Sequence, residues 1–117
     1  MKNFIFIGIL ALAFTSCTKS TDEDNQPDNG SEELKAAEAY YDVTLNPVIS
    51  VNCVSCHAGY HSKSDASNYG VFNNARNNAS GMYNLVNAGT MPKGGAKLPQ
   101  SEIDKFQAFL DLVNAIE

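Results

Sequence analysis

The feature that most constrains this chain is the run Cys-Val-Ser-Cys-His at residues 53–57. It sets two thiols three positions apart, with an imidazole directly after the second, so three reactive groups share little more than one turn of backbone. A redox dithiol would place such a pair between a strand and a helix, and no strand pattern is present. Zinc would need two further ligands at matching spacing, and only His61 is on offer. A purely structural disulfide across the two intervening residues is a third alternative, since the thiols of an exported domain otherwise tend to close.

The fourth chemistry uses all three groups. Cys-x-x-Cys-His is the attachment signature of c-type haem: two thiols add across the vinyl groups, and the neighbouring histidine gives an imidazole nitrogen to the iron. The spacing is physical, because the two sulfurs must reach two fixed points on one ring edge while His57 turns beneath the ring. Cys53 and Cys56 are therefore the expected covalent anchors and His57 the proximal ligand.

Export is consistent with this chemistry. The chain opens with Met1-Lys2, continues with an apolar stretch over residues 4–14, and then reads Thr15-Ser16-Cys17, the layout of a signal peptide. Eleven apolar residues span roughly 16 Å as a helix, about half the hydrocarbon core of a bilayer, which disfavours a permanent span. Phe14-Thr15-Ser16-Cys17 resembles a lipobox, with Phe14 where leucine is commonest. That resemblance implies acylation of Cys17, and several acyl chains anchor a protein stably because each buried methylene contributes about 0.8 kcal/mol. It also resolves the odd count of three cysteines, leaving 53 and 56 as a pair.

Charge divides the remainder. Residues 18–33 hold one lysine against six acidic side chains, so the formal net charge of −5 belongs to this stretch, while residues 34–117 are nearly neutral. The stretch after Cys17 has almost no apolar residues and cannot bury enough surface to order itself. We expect a signal peptide at 1–17, a flexible acidic tether at 18–33 and a folded domain at 34–117. As a random coil of about sixteen residues the tether would reach around 22 Å. The absence of any basic face or run argues against a nucleic-acid partner.

The domain reads as all-α. Ser31 is placed to cap a first helix with Glu32 and Glu33 in its first turn, and Leu34, Ala37, Tyr41 and Leu45 follow at helical spacing. Asn46-Pro47 is expected to interrupt that helix and start a short one, through Val48, Ile49 and Val51 into Cys53. Short helices are expected over residues 65–77, with Tyr69, Phe72 and Ala75 inward, and over 80–88, with Leu85 inward and Gly89 as the stop. Residues 91–95, Met-Pro-Lys-Gly-Gly, form a loop. Ser101 and Asp104 suggest a capping box for a closing helix whose inner face carries Ile103, Phe106, Leu110 and Val113 and which runs almost to the C-terminus.

An iron held by His57 has a sixth position to fill or leave open. Met91 stands out for it, because a Met-Pro followed by two glycines is too irregular for core and able to set a sulfur against a flat ring. Met82 reads as a core residue, and His61, four residues past His57, as a solvated loop histidine. At this point the chain resembles the small bacterial monohaem class I cytochromes c, over roughly residues 40–114. The resemblance is carried by Asn46-Pro47-Val48-Ile49 leading into Asn52-Cys53-Val54-Ser55-Cys56-His57, by Met91-Pro92-Lys93-Gly94-Gly95, and by the closing helix. Lys93 replaces a second proline common in that family, and Phe109 stands where tryptophan is frequent.

The resemblance implies a bundle of 3 to 5 short helices wrapped around one covalently bound haem, first and last helices crossing, with Met91 as distal ligand. It implies a single-electron carrier in an extracytoplasmic respiratory chain, acting alone or as a subunit of a larger oxidoreductase, with redox proteins as partners and no catalysis of its own. The rival class is a gas-sensing or peroxidase-like haem module with a labile distal site. By analogy with lipoprotein sorting, Thr18 after Cys17 favours the outer membrane. The tether resembles that of lipoproteins carried to the cell surface. A chain this short, rich in Asn, Gly and Ser, would form a marginal core alone, and a tied apolar macrocycle would complete it.

Overall fold

The computed structural model describes residues 29–116. The signal peptide, Cys17 and most of the tether lie outside the described residues. Every regular element among those described is helical: α1 (Asn29–Tyr40), a π-helical turn (Tyr41–Leu45), α2 (Asn46–Asn52), α3 (Val54–His57), α4 (Phe72–Asn77), α5 (Ala79–Asn87) and α6 (Gln100–Asn114). The all-α class expected from the sequence is the class observed. The first helix begins two residues before Ser31, so Ser31 lies inside it instead of capping it.

Asn46-Pro47 starts a short helix into Cys53 as expected, but α1 runs on into it through the π turn instead of breaking off. Pro47 has no amide to return to the carbonyl four residues back, and the chain accommodates this by widening. The amide of Asn46 donates to the carbonyl of Tyr41, five residues earlier, and Pro47 falls in the first turn of α2. A π turn inserts one residue into the helical repeat without ending the rod. Ala37, Tyr41 and Leu45 therefore continue into Val48 and Ile49 on one buried face. Val51, counted with that face from its spacing, is 80% exposed.

Helix α6 is the wall against which the others pack. Ile103, Phe106, Phe109 and Val113 are buried along it, Leu110 is half-buried, and the helix meets α1, α5 and the π turn. Phe109, Tyr41 and Phe72 form an aromatic cluster with ring centroids 5.6 to 6.3 Å apart in tilted and edge-on arrangements. Such pairs contribute about 0.5–1.5 kcal/mol beyond their area. The Tyr41 hydroxyl donates to the carbonyl of Tyr69 at 2.7 Å, tying the first rod to the loop that precedes α4. Burial, reinforced by Asp42, pushes this phenol up to about 12.

Two helix starts differ from the sequence reading. Residues 65–71 are not helical, and α4 begins at Phe72. Asp65, Asn68 and Asn74 hydrogen-bond backbone groups of this segment, offering them an alternative to the helical ladder. Ala75 is buried and Tyr69 and Phe72 pack against the core, as the periodicity required. At α6 the N-cap is Pro99, with no side-chain cap, so Ser101 sits within the first turn. Asp104 accepts from Gln100 Nε2 at 2.8 Å rather than closing a box on Ser101.

Gly89 ends α5 as expected, through a Schellman closure. The Gly89 amide donates to Val86 O at 3.1 Å and the Thr90 amide to Leu85 O at 2.9 Å, with Gly89 at φ +72°. Gly89→Ala should destabilise the domain by about 1–2 kcal/mol, the penalty of a left-handed non-glycine residue. Equilibrium urea unfolding reads it, and an unchanged midpoint would show that the closure relaxes freely.

Candidate functional site

Cys53 lies between α2 and α3, with backbone dihedrals (φ −122°, ψ −32°) that break the helical path. Its carbonyl accepts the amides of both Cys56 (3.1 Å) and His57 (2.7 Å), coiling the motif into one tight turn. The chain leaves by Gly59, where a Cβ would meet Ser55 O at 2.9 Å, so only glycine passes there without displacing backbone. Cys53 is half-buried and Cys56 exposed, and the two thiols are free.

These residues form one wall of a cavity of about 230 Å³. Cys53, Cys56 and His57 line it together with Met91, which arrives from beyond α5. The Met91 amide donates to Leu85 O at 3.2 Å, the same carbonyl that takes the Thr90 amide, so the sulfur-bearing residue is mounted on the end of α5. Tyr69, Met82, Leu85, Val86 and Phe106 supply apolar walls, and Lys93 brings a cationic side chain to the lining. Leu85, expected inward toward the helical core, is 41% exposed and faces the cavity, while Ala79, Met82 and Val86 carry the buried face of α5. Met82 is core as expected and reaches the cavity as well.

The two ring nitrogens of His57 are distinguished by their surroundings. Nδ1 lies 3.1 Å from the carbonyl oxygen of Ser67. A carbonyl only accepts, so Nδ1 carries the proton and Nε2 keeps a lone pair. The ring stacks on Tyr69 with centroids 4.6 Å apart and planes 23° from parallel. His61 is held elsewhere, its Nδ1 2.9 Å from Asp65 Oδ2, and it does not line the cavity. Its ring centroid is 6.4 Å from that of His57.

Burial, with a further contribution from Cys56, pushes the Cys53 thiol up to about 11. A redox dithiol depends on a depressed pKa that exposes thiolate near neutrality, which is the opposite shift. The Tyr69 phenol is also raised, first by burial and then by Cys53. Among the described residues, no group of three or more His, Cys, Asp or Glu side chains is gathered as a metal-ion cluster.

The structure thus brings together four of the five residues singled out from the sequence, and Cys17 lies outside the described residues. Sequence reasoning missed the Ser67 carbonyl, ten residues from His57, and the cavity-lining role of Leu85. It placed Tyr69 inward but not against the imidazole. The nearest signal for the carbonyl was the density of Asp, Asn and Ser over residues 62–78. Comparison of the chain with protein-family models, with curated proteins and with solved structures returned no match.

Proposed function

We propose that this domain holds one c-type haem, covalently attached at Cys53 and Cys56 with His57 and Met91 as axial ligands, and passes single electrons as small monohaem cytochromes c do. The observation that carries this reading is the convergence of the Cys-x-x-Cys-His turn and Met91, far apart in sequence, on one apolar-walled cavity. The donor set fits the group: two uncommitted thiols, an imidazole whose Nε2 lone pair is free, and a thioether. The walls offer aliphatic and aromatic surface to a flat macrocycle, and Lys93 offers a cation to its carboxylates. Bound there, haem would supply a one-electron iron couple.

The chain's own residues define what that couple is used for. With His57 and Met91 both holding the iron, no position on it would be left for a substrate. Methionine as a ligand raises the reduction potential, which suits a carrier feeding an oxidising acceptor. The exposed Cys56 marks the side where the cavity edge meets solvent, the edge through which electrons would pass. Acylation of Cys17 would hold the carrier at a membrane on its acidic tether, with the outer membrane as the favoured address. Partner redox proteins, whether separate or in one complex with this chain, would be met from that tether.

An optical spectrum of the protein matured in a haem-attaching host tests the reading. A weak band at the red end of the oxidised spectrum, from sulfur on iron, is expected in the membrane fraction. A high-spin spectrum would instead assign the domain to ligand-binding or peroxidase-like haem modules. No Soret band would refute the haem reading entirely.

A further inference from the structure

The Ser67 carbonyl beside His57 sits in a densely hydrogen-bonded loop. Ser67 O accepts from His57 Nδ1 at 3.1 Å and from the Tyr69 amide at 3.1 Å, so both its lone pairs are engaged. Its own amide donates to Asp65 Oδ1 at 2.8 Å. The Asp65 carbonyl in turn accepts the Asn68 amide at 3.0 Å and Asn74 Nδ2 at 2.8 Å. Asn74 belongs to α4 and reaches the Asn68 carbonyl as well, at 3.0 Å. Asn68 is only 6% exposed; its Nδ2 donates to Ser62 O at 3.1 Å and its Oδ1 accepts the Gly70 amide at 3.2 Å.

We infer that Asp65, braced by Asn68 and Asn74, is a positioning residue for His57: it fixes the Ser67 carbonyl that sets the tautomer and ring orientation of the proximal imidazole. The inference rests on the haem reading for the role of His57, while the bracing stands on the geometry above. The chain of contacts is continuous from α4 through Asn74, Asp65 and Ser67 to the ring. The Asp65 carboxyl is held below the usual carboxylate range, first by the Ser67 amide and then by His61, so it accepts as an anion at neutral pH. A carbonyl on the outer N–H of a metal-bound imidazole raises the basicity of the ligating nitrogen, and loss of such outer contacts typically weakens metal-site function by 10–100-fold. A more basic ligand favours the oxidised iron, so releasing the carbonyl should favour the reduced form.

The test compares wild type, Asp65→Ala, Asp65→Asn and Val113→Ala, each matured with haem, reading the reduction midpoint and the exchange rate of the His57 Nδ1 proton by NMR. Asp65→Ala should shift the reduced-to-oxidised ratio at the wild-type midpoint by about tenfold toward reduced, which is about 59 mV for a one-electron couple. Its Nδ1 proton should exchange at least about tenfold faster, as the carbonyl lets go. Asp65→Asn, whose amide oxygen still accepts from Ser67, should restore both. Val113→Ala, a core truncation on α6, should lower stability and move neither. If Asp65→Ala does not mature, Asn74→Ala decides, with a shift of the same sign and about twofold to threefold size.

Unchanged midpoint and exchange in the alanine variants would overturn the inference and leave the haem reading intact. An equal shift in Asp65→Asn would overturn it too, by assigning the effect to charge instead of position. A wild-type protein without haem would overturn both.

Discussion

Replacing Cys53 and Cys56 together by alanine is expected to abolish cooperative folding, with no thermal transition near that of the haem-loaded protein. Without its macrocycle the domain keeps a cavity of about 230 Å³ walled by apolar side chains. That space opens to solvent at Cys56, so without the macrocycle water wets its walls, and the stabilisation from burying them, about 25 cal/mol for each Å² of apolar surface, is lost. Domains of this length are stable by only about 4–13 kcal/mol in total, and a short chain with a small core has little of that to lose. What remains is the α1–α6 contact and the aromatic cluster of Tyr41, Phe72 and Phe109, which would hold a loosened helical state. Circular dichroism during heating reads the outcome. A sharp transition near the holo temperature would show that the polypeptide completes its own core without the macrocycle.

Met91→Ala is expected to leave the haem attached and the fold intact while changing the iron. The loop should keep its place, because it is the Met91 backbone amide, not the side chain, that is bonded to Leu85 O. Loss of the thioether should remove the sulfur band, open the sixth position to small ligands, and lower the midpoint on the order of 100 mV or more, within the roughly 0.8 V that axial ligands span. Met82→Leu, a change that preserves volume at a buried site, should keep the band. A sulfur band that survives in Met91→Ala and vanishes in Met82→Leu would reassign the distal ligand to α5.

Much of the fold was legible because its helices are simple in physical terms. Ala37, Tyr41 and Leu45 recur at one spacing, as do Ile103, Phe106 and Val113, and each set is buried where the pattern put it. Gly89 could be read as a stop because only glycine takes its backbone angle without strain. The failures have a common origin in interactions that periodicity does not encode. Pro47 looked like a break because the compensating π turn depends on hydrogen-bond partners upstream of it. Residues 65–71 looked helical because a count of apolar positions ignores the side-chain amides and carboxylate that claim the backbone first.

The site was legible to a different degree in each part. Cys53, Cys56 and His57 declare themselves by spacing, since a short motif needs no knowledge of the fold. Met91 could be singled out only as a methionine in an irregular loop, and its meeting with the motif depends on how α5 ends. Leu85 and Val51 have the same apolar chemistry as core residues, and one faces a cavity while the other faces solvent. The contact between His57 and Ser67 spans ten residues of irregular chain, and no local pattern announces a backbone carbonyl as a partner.

The carbonyl of Leu85, which takes the amides of both Thr90 and Met91, has a mechanical consequence. It mounts the Met91 main chain on α5, so the residue that carries the thioether follows any movement of that helix end. On the proposed reading, an iron gaining or losing one charge would find its sulfur ligand already in place, with little rearrangement needed on either side of the transfer. Preorganised groups of this kind spare a charge-changing step the work of reorienting its surroundings.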